Sequence, residues 1–170
     1  MKQTLFFFLM LSVFSSTYGQ ELRTIKDSIN HYEIGVPIGW RSTILTGKSV
    51  SLVAIREKVN EQDVVRENFN IIILNKDEKD LEISFIQFKE SLSKAEGFKV
   101  IEQGVEIIDN RKYMYLIETH KNKISKEDMH NYVFFTNNNG KILILTMVAT
   151  SSNFERFKVL YSTIGRSLKY

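Results

Sequence analysis

The sequence predicts an α+β fold: an antiparallel β-sheet of about six to seven strands covered by helices, an α/β/α sandwich. Three observations carry that expectation. The apolar period changes from two to the helical 3.6 at two places only, near residues 80 and 152. Between them four strand signals follow one another, at 99–108, 112–120, 129–136 and 142–148, joined by short polar stretches. Residues 69–74 (FNIIIL) form a largely apolar, β-branched run, which needs cover on both of its faces. Strands, then a helix, then four strands, then a helix is not the alternation of a repeating βαβ unit.

Each element has its own local reason. Residues 1–19 combine a basic start at Lys2, an apolar run from Leu5 to Phe14 and small residues up to Gly19, the layout of a secretory signal. That run is shorter than the roughly 20 residues a membrane span needs. Residues 1–19 are therefore expected to be a signal peptide, and 20–170 a single exported domain with no integral membrane segment after processing. Residues 32–37 (YEIGVP) alternate and end in the only proline, which suits a short strand and its exit. Pro37 to Trp40 reads as a turn that sets the indole over a core edge. Residues 49–56 alternate again, with Val50, Leu52 and Ala54 expected on one face and Val53 and Ile55 on the other.

Residues 57–68 are polar and read as a loop with a short helical turn. In 80–97, Leu81, Phe85, Phe88 and Leu92 fall on one helical stripe, with Asp80 as N-cap and Gly97 as stop. Asp109-Asn110 and residues 137–140 (NNNG) are hairpin turns, and 121–127 (KNKISKE) is a charged loop. Ser152 and Glu155 have capping-box spacing, followed by an apolar stripe through Phe154, Phe157, Leu160 and/or Tyr161, Ile164 and Leu168.

Composition narrows the function. Lysine and arginine total 23 against 20 aspartates and glutamates, interspersed along the chain, so no basic stripe suggests nucleic acid. Cysteine is absent, which removes disulfides, thiol catalysis, thiolate metal sites and an acylated N-terminal cysteine. Stability must come from ordinary apolar burial, and 12 phenylalanines with 43% hydrophobic residues make that feasible.

Three pieces of the chain carry a resemblance: YEIGVPIGW (32–40), ENFNIII (67–73) and the closing IGRSL (164–168). In their order and spacing they resemble the PsbP-like superfamily, in particular its DcrB-like bacterial branch, over nearly the whole chain after residue 29. The motif positions are Tyr32, Pro37, Gly39, Trp40 and Asn68, all of structural rather than catalytic type. The resemblance implies an antiparallel sheet between helices. It also implies a role as an assembly factor, an extrinsic subunit or a small exported protein; one eukaryotic branch binds a small GTPase. The lipobox cysteine of many bacterial members is missing, so lipid anchoring does not carry over.

Candidate chemistry is sparse. There is no Gly-x-Ser-x-Gly elbow and no phosphate-binding glycine loop, and only three histidines could act as a base. If the 121–127 loop is centred near Ile124, His120 opposes Asp128 and Glu118 opposes His130, and all four project from one face. Two imidazoles and two carboxylates could then ligate a divalent ion such as zinc, the sole cofactor the sequence suggests. A one-residue change of register would separate the set. The expected function is an exported, non-enzymatic accessory or binding module that presents loops, such as 58–66 and 121–128, to an envelope or extracellular protein partner. The alternative is a periplasmic small-ligand or divalent-metal-binding protein, and the third a small hydrolase using His120 or His130.

Overall fold

In the computed structural model, residues 20–75, 81–138 and 140–170 are described. The expected signal segment, the Asp80 cap and the turn residue Asn139 lie outside these. The chain runs β1 (Leu22–Asp27), β2 (Tyr32–Pro37), β3 (Trp40–Ile44), β4 (Val50–Arg56), β5 (Asn68–Asn75), α1 (Leu81–Leu92), β6 (Lys99–Ile108), β7 (Arg111–Lys121), β8 (Asp128–Asn138), β9 (Lys141–Thr150) and α2 (Ser151–Arg166). Seven strands form one sheet in the order β3-β4-β5-β9-β8-β7-β6, and every neighbouring pair is antiparallel. β1 and β2 make a separate two-stranded ribbon. No helix among the described residues is long and apolar enough to cross a membrane.

The ribbon and α2 cover one face of the sheet. Ile34 and Val36 of β2, with Phe154, Tyr161, Ile164 and Leu168, pack on Phe69, Ile71, Phe134, Leu143, Leu145 and Met147. The ribbon is tied to α2 at its far end, where Ser167 Oγ accepts the Gly35 amide (2.8 Å) and donates to the Ile164 carbonyl (2.6 Å). The shorter α1 covers the other face, setting Leu81 and Phe85 on Leu116, Val133, Phe135, Ile142 and Ile144. The two-sided run at β5 and the double cover expected from it are both present.

Several local expectations are corrected. β2 does not join the main sheet but pairs with β1, a strand whose LRTIKD has no alternation to read. The turn at Pro37 to Trp40 is tighter than expected: Gly39 takes a left-handed φ of 86° and Trp40 already begins β3. β3 is an edge strand, and its mostly exposed WRSTI is held by backbone pairing with β4 rather than by an apolar face. A β-bulge between Val50 and Leu52 inserts one residue, so Val50 pairs with Ile72 and leaves the face of Leu52 and Ala54. The Ser152/Glu155 capping box does not form. Thr150 is the N-cap, without a side-chain cap bond, because β9 runs directly into α2.

The motif positions all bear structure. Tyr32 is buried and its hydroxyl bonds Ser51 Oγ at 2.7 Å, fastening the ribbon to β4. Trp40 is buried with its ring 6.2 Å from that of Phe69. Pro37 is buried at the end of β2. Asn68 Nδ2 donates to the Arg66 carbonyl at 3.0 Å, closing the loop that precedes β5.

Candidate functional site

The β7–β8 hairpin pairs Lys121 with Asp128, His120 with Met129, Thr119 with His130 and Glu118 with Asn131. That is one residue away from the register that would have gathered the acid–histidine set. Glu118 and His120 therefore lie on the α1 face, while Asp128 and His130 lie on the α2 face. His120 Nδ1 is 3.2 Å from both oxygens of Glu118. His130 Nδ1 bonds Ser151 Oγ at 2.9 Å, and its ring stacks on Phe154 with centroids 4.5 Å apart. Burial lowers the His130 pKa, so its neutral form is favoured against that aromatic face. Among the described residues no group of three or more histidine and acidic side chains could hold a metal ion.

Glu118 is the more unusual of the four, with a fully buried side chain in the middle of a strand. Burial raises its pKa, partly opposed by His120 and Asn131. A carboxyl whose pKa is raised on folding stabilises the fold below its ordinary range, and that contribution is lost as pH rises through the folded value. Glu118→Gln is expected to raise stability at neutral pH, with a gain in Tm of a few degrees at about 2–4 °C per kcal/mol for a chain of this size. The gain should shrink as pH falls through the carboxylate range. The introduced amide could also donate to Asn131 Oδ1, a buried acceptor without a hydrogen bond. Thermal unfolding followed across pH checks this; a loss at neutral pH that fades as pH falls would mean that His120 holds the carboxylate charged.

A different arrangement, between β4 and β5, combines rigidity with exposure. Arg56 ends β4 and its amide bonds the Glu67 carbonyl at 2.9 Å, closing the 57–67 loop at its base. Its guanidinium is bidentate to Asp63, Nη1 to Oδ2 at 2.8 Å and Nη2 to Oδ1 at 2.7 Å. The Nε donates to Glu67 Oε2, and Nη1 also to the Glu57 carbonyl at 2.9 Å. Glu67 Oε1 accepts from Asn153 Nδ2 of α2 at 2.8 Å, so the network joins loop to helix. Asp63 Oδ2 in turn accepts the Val59 amide at 3.0 Å. Arg56 and the Val59 amide hold the Asp63 carboxyl down at about 2.

The side chain of Glu67 is 1% exposed, whereas Val59 and Val64 on the same loop are 77% and 78% exposed. Ion pairing near the core thus fixes a loop whose apolar side chains stand in water. Beside it lies a cleft of about 370 Å3, with Arg56, Asp63 and Glu67 on one side and Asn153, Arg156 and Phe157 of α2 on the other. The sequence held a hint of this, an arginine at a strand end with Asp63 and Glu67 among the four acids of the loop after it. A solvated charged loop has the same composition, so only the pairing distinguishes them.

Register places the second loop at the same end of the sheet. Ile55 pairs with Asn68, Asn68 with Val148, Val148 with Asn131 and Asn131 with Glu118, a single row across five strands. The 57–67 loop, the start of α2 and the 121–127 loop all leave the sheet just beyond that row. The 121–127 loop is ordered by Asn122, whose Oδ1 accepts the amides of Ile124 (2.9 Å) and Ser125 (3.1 Å), and it holds Ile124 93% exposed. This end of the molecule is a rim of two braced loops with apolar tips.

No protein-family model and no curated protein matches the sequence. Solved structures do match in fold. The cyanobacterial PsbP (CyanoP) of Synechocystis sp. PCC 6803 superposes with a TM-score of 0.66 at 19% identity, over 94% of this chain and 98% of that one. LpqN of Mycobacterium tuberculosis, described as involved in cell envelope biogenesis, gives 0.59 at 13% identity over 82% of each chain. A mutant of protein Mog1 gives 0.60 at 8% identity over 87% of this chain and 95% of that one.

Proposed function

We propose, for a chain that has the PsbP-like fold, that it is an exported accessory module without catalysis of its own, docking a protein partner of the envelope through the loop rim. The carrying observation is the Arg56–Asp63–Glu67 network, which immobilises a loop while leaving Val59 and Val64 in solvent. A buried ion pair is a poor source of stability, but it fixes geometry well. Ordering the loop beforehand removes a cost that association would otherwise carry. Ile124 extends the apolar tips across the same rim, with charged side chains around them, the makeup of an interface with an apolar centre. The N-terminal layout of residues 1–19 supports export. The resemblance to LpqN, whose description places it in envelope biogenesis, supports the compartment.

Site-specific photo-crosslinking in the native envelope tests the reading. A crosslinker in place of Val64 is expected to give a discrete adduct, and one in place of Val159, equally exposed on α2, is not. Arg56→Ala should abolish the Val64 adduct. Equal adducts at both positions, or none at either, would remove the rim from consideration.

A further inference from the structure

At the opposite end of the sheet lies a cleft of about 710 Å3, within the size range of small-ligand sites. It is enclosed by the β1–β2 turn, the β3–β4 loop at 45–49, the end of β5 and the start of β9. Its lining is mixed: Ile29 and Ile44, 62% and 38% exposed, form an apolar strip with Leu45 and Leu74, and Asn30, Thr46 and Ser49 supply polar wall beside it. Two lysines stand on the same cleft, Lys48 from the β3–β4 loop and Lys141 from β9. Among the described residues neither ammonium has a hydrogen-bond or ion-pair partner, although most other cations near carboxylates here are paired. Asp27, the one acid among the described residues of the lining, is buried and already accepts the Ile29 amide, the Asn30 amide and Asn30 Nδ2 at 2.8–3.0 Å.

Exposed isoleucines and two ammoniums without a partner among the described residues, in one concavity, make opposite demands on an occupant. A small inorganic anion would leave the apolar wall wet, and a neutral hydrocarbon would leave the lysines unanswered. We infer that this cleft binds a single-chain anionic amphiphile, its carboxylate or phosphate head between Lys48 and Lys141 and its alkyl chain along Ile29, Ile44 and Leu74. The occupant is the free monomer, not a headgroup held in a bilayer. The site is separate from the loop rim and does not depend on the docking proposal.

Calorimetric titration of the purified protein tests this with decanoate and decyl phosphate below their micelle concentrations, beside decanol, acetate and inorganic phosphate. Decanoate and decyl phosphate are expected to saturate one site, and the other three to bind far more weakly. Lys48→Ala and Lys141→Ala should each weaken that binding by about fivefold to tenfold, as for losing one exposed charge-assisted contact. Ile44→Ser should weaken decanoate and leave acetate unchanged, and Lys58→Ala, on the far rim, should change nothing. Decanol binding as well as decanoate, or equal losses from Lys58→Ala and Lys48→Ala, would overturn the proposal. So would silence from every probe, or sedimentation with phosphatidylglycerol vesicles without any monomer binding.

Discussion

Arg56→Ala is expected to lower stability by about 3 kcal/mol, the lower end of what breaking a buried ion pair costs. The choice of the lower end follows from the geometry: the Arg56 side chain keeps 20% of its surface in water, whereas Glu67 is 1% exposed and would be left buried with Asn153 as its one side-chain donor. Tm should fall by roughly 6–12 °C. The Val59 amide, held through Asp63, should lose its hydrogen-exchange protection at the same time. Removing both charges, as Arg56→Met with Glu67→Leu, should recover most of the stability, since no buried ion remains. It should not recover the Val59 protection, because Asp63 then has no fork to grip. That separation of stability from loop order is the decisive readout; their joint recovery would mean that the network serves the core alone.

Acid should open the same loop. The Asp63 pKa is depressed on folding to about 2, so its contribution is complete above the ordinary carboxylate range and lost as pH falls from about 4 toward 2. Lysine at position 56 should substitute poorly, since a single ammonium cannot present two parallel donors to one carboxylate.

The second large effect is expected at Gly165, in α2. Glycine to alanine within a helix ordinarily stabilises by close to 1 kcal/mol. Here the sign should reverse. A Cβ built on Gly165 would lie 2.6 Å from Cδ2 and 2.7 Å from Cζ of Phe134, whose ring is fully buried on β8. Neither partner has room to withdraw, because Phe134 also packs edge-on against Tyr113 and stacks on Tyr132 at 5.0 Å. Gly165→Ala should therefore cost about 2 kcal/mol by overpacking. Adding Phe134→Leu should relieve much of that cost, so the double change should be less harmful than the two single costs summed. Chemical denaturation of the four proteins measures the coupling, and strict additivity would show that helix and sheet do not meet at this point.

Legibility followed the size of the periodic signal. The β5 run, the stripe of α1 and the strands β7 to β9 were readable because each buries side chains whose pattern the sequence records, and β6, which buries none, was readable through its Asp109-Asn110 turn into β7. β1 and β3 were not. LRTIKD and WRSTI are held at the margins by backbone pairing, which leaves no trace in the choice of side chains. The metal-type set at Glu118, His120, Asp128 and His130 failed for a related reason. Both hairpin registers keep apolar residues on both faces, so the pattern along the strands could not choose between them, and the closure of the 121–127 loop did. The Arg56 network was visible only as a charged loop, since composition does not say which arginine meets which carboxylate.

By itself, the sequence determined the order of the two helices and the central strands, the antiparallel class of the sheet and the need for cover on both faces, because burial imposes a pattern on the central elements. The tertiary structure alone decided the one-residue register that parts Glu118 and His120 from Asp128 and His130. It also decided the contact that reserves position 165 for glycine, and the gathering of Lys48 and Lys141 beside the same apolar wall. These are relations between residues far apart in the chain, and local preference carries no term for a distance that only folding sets.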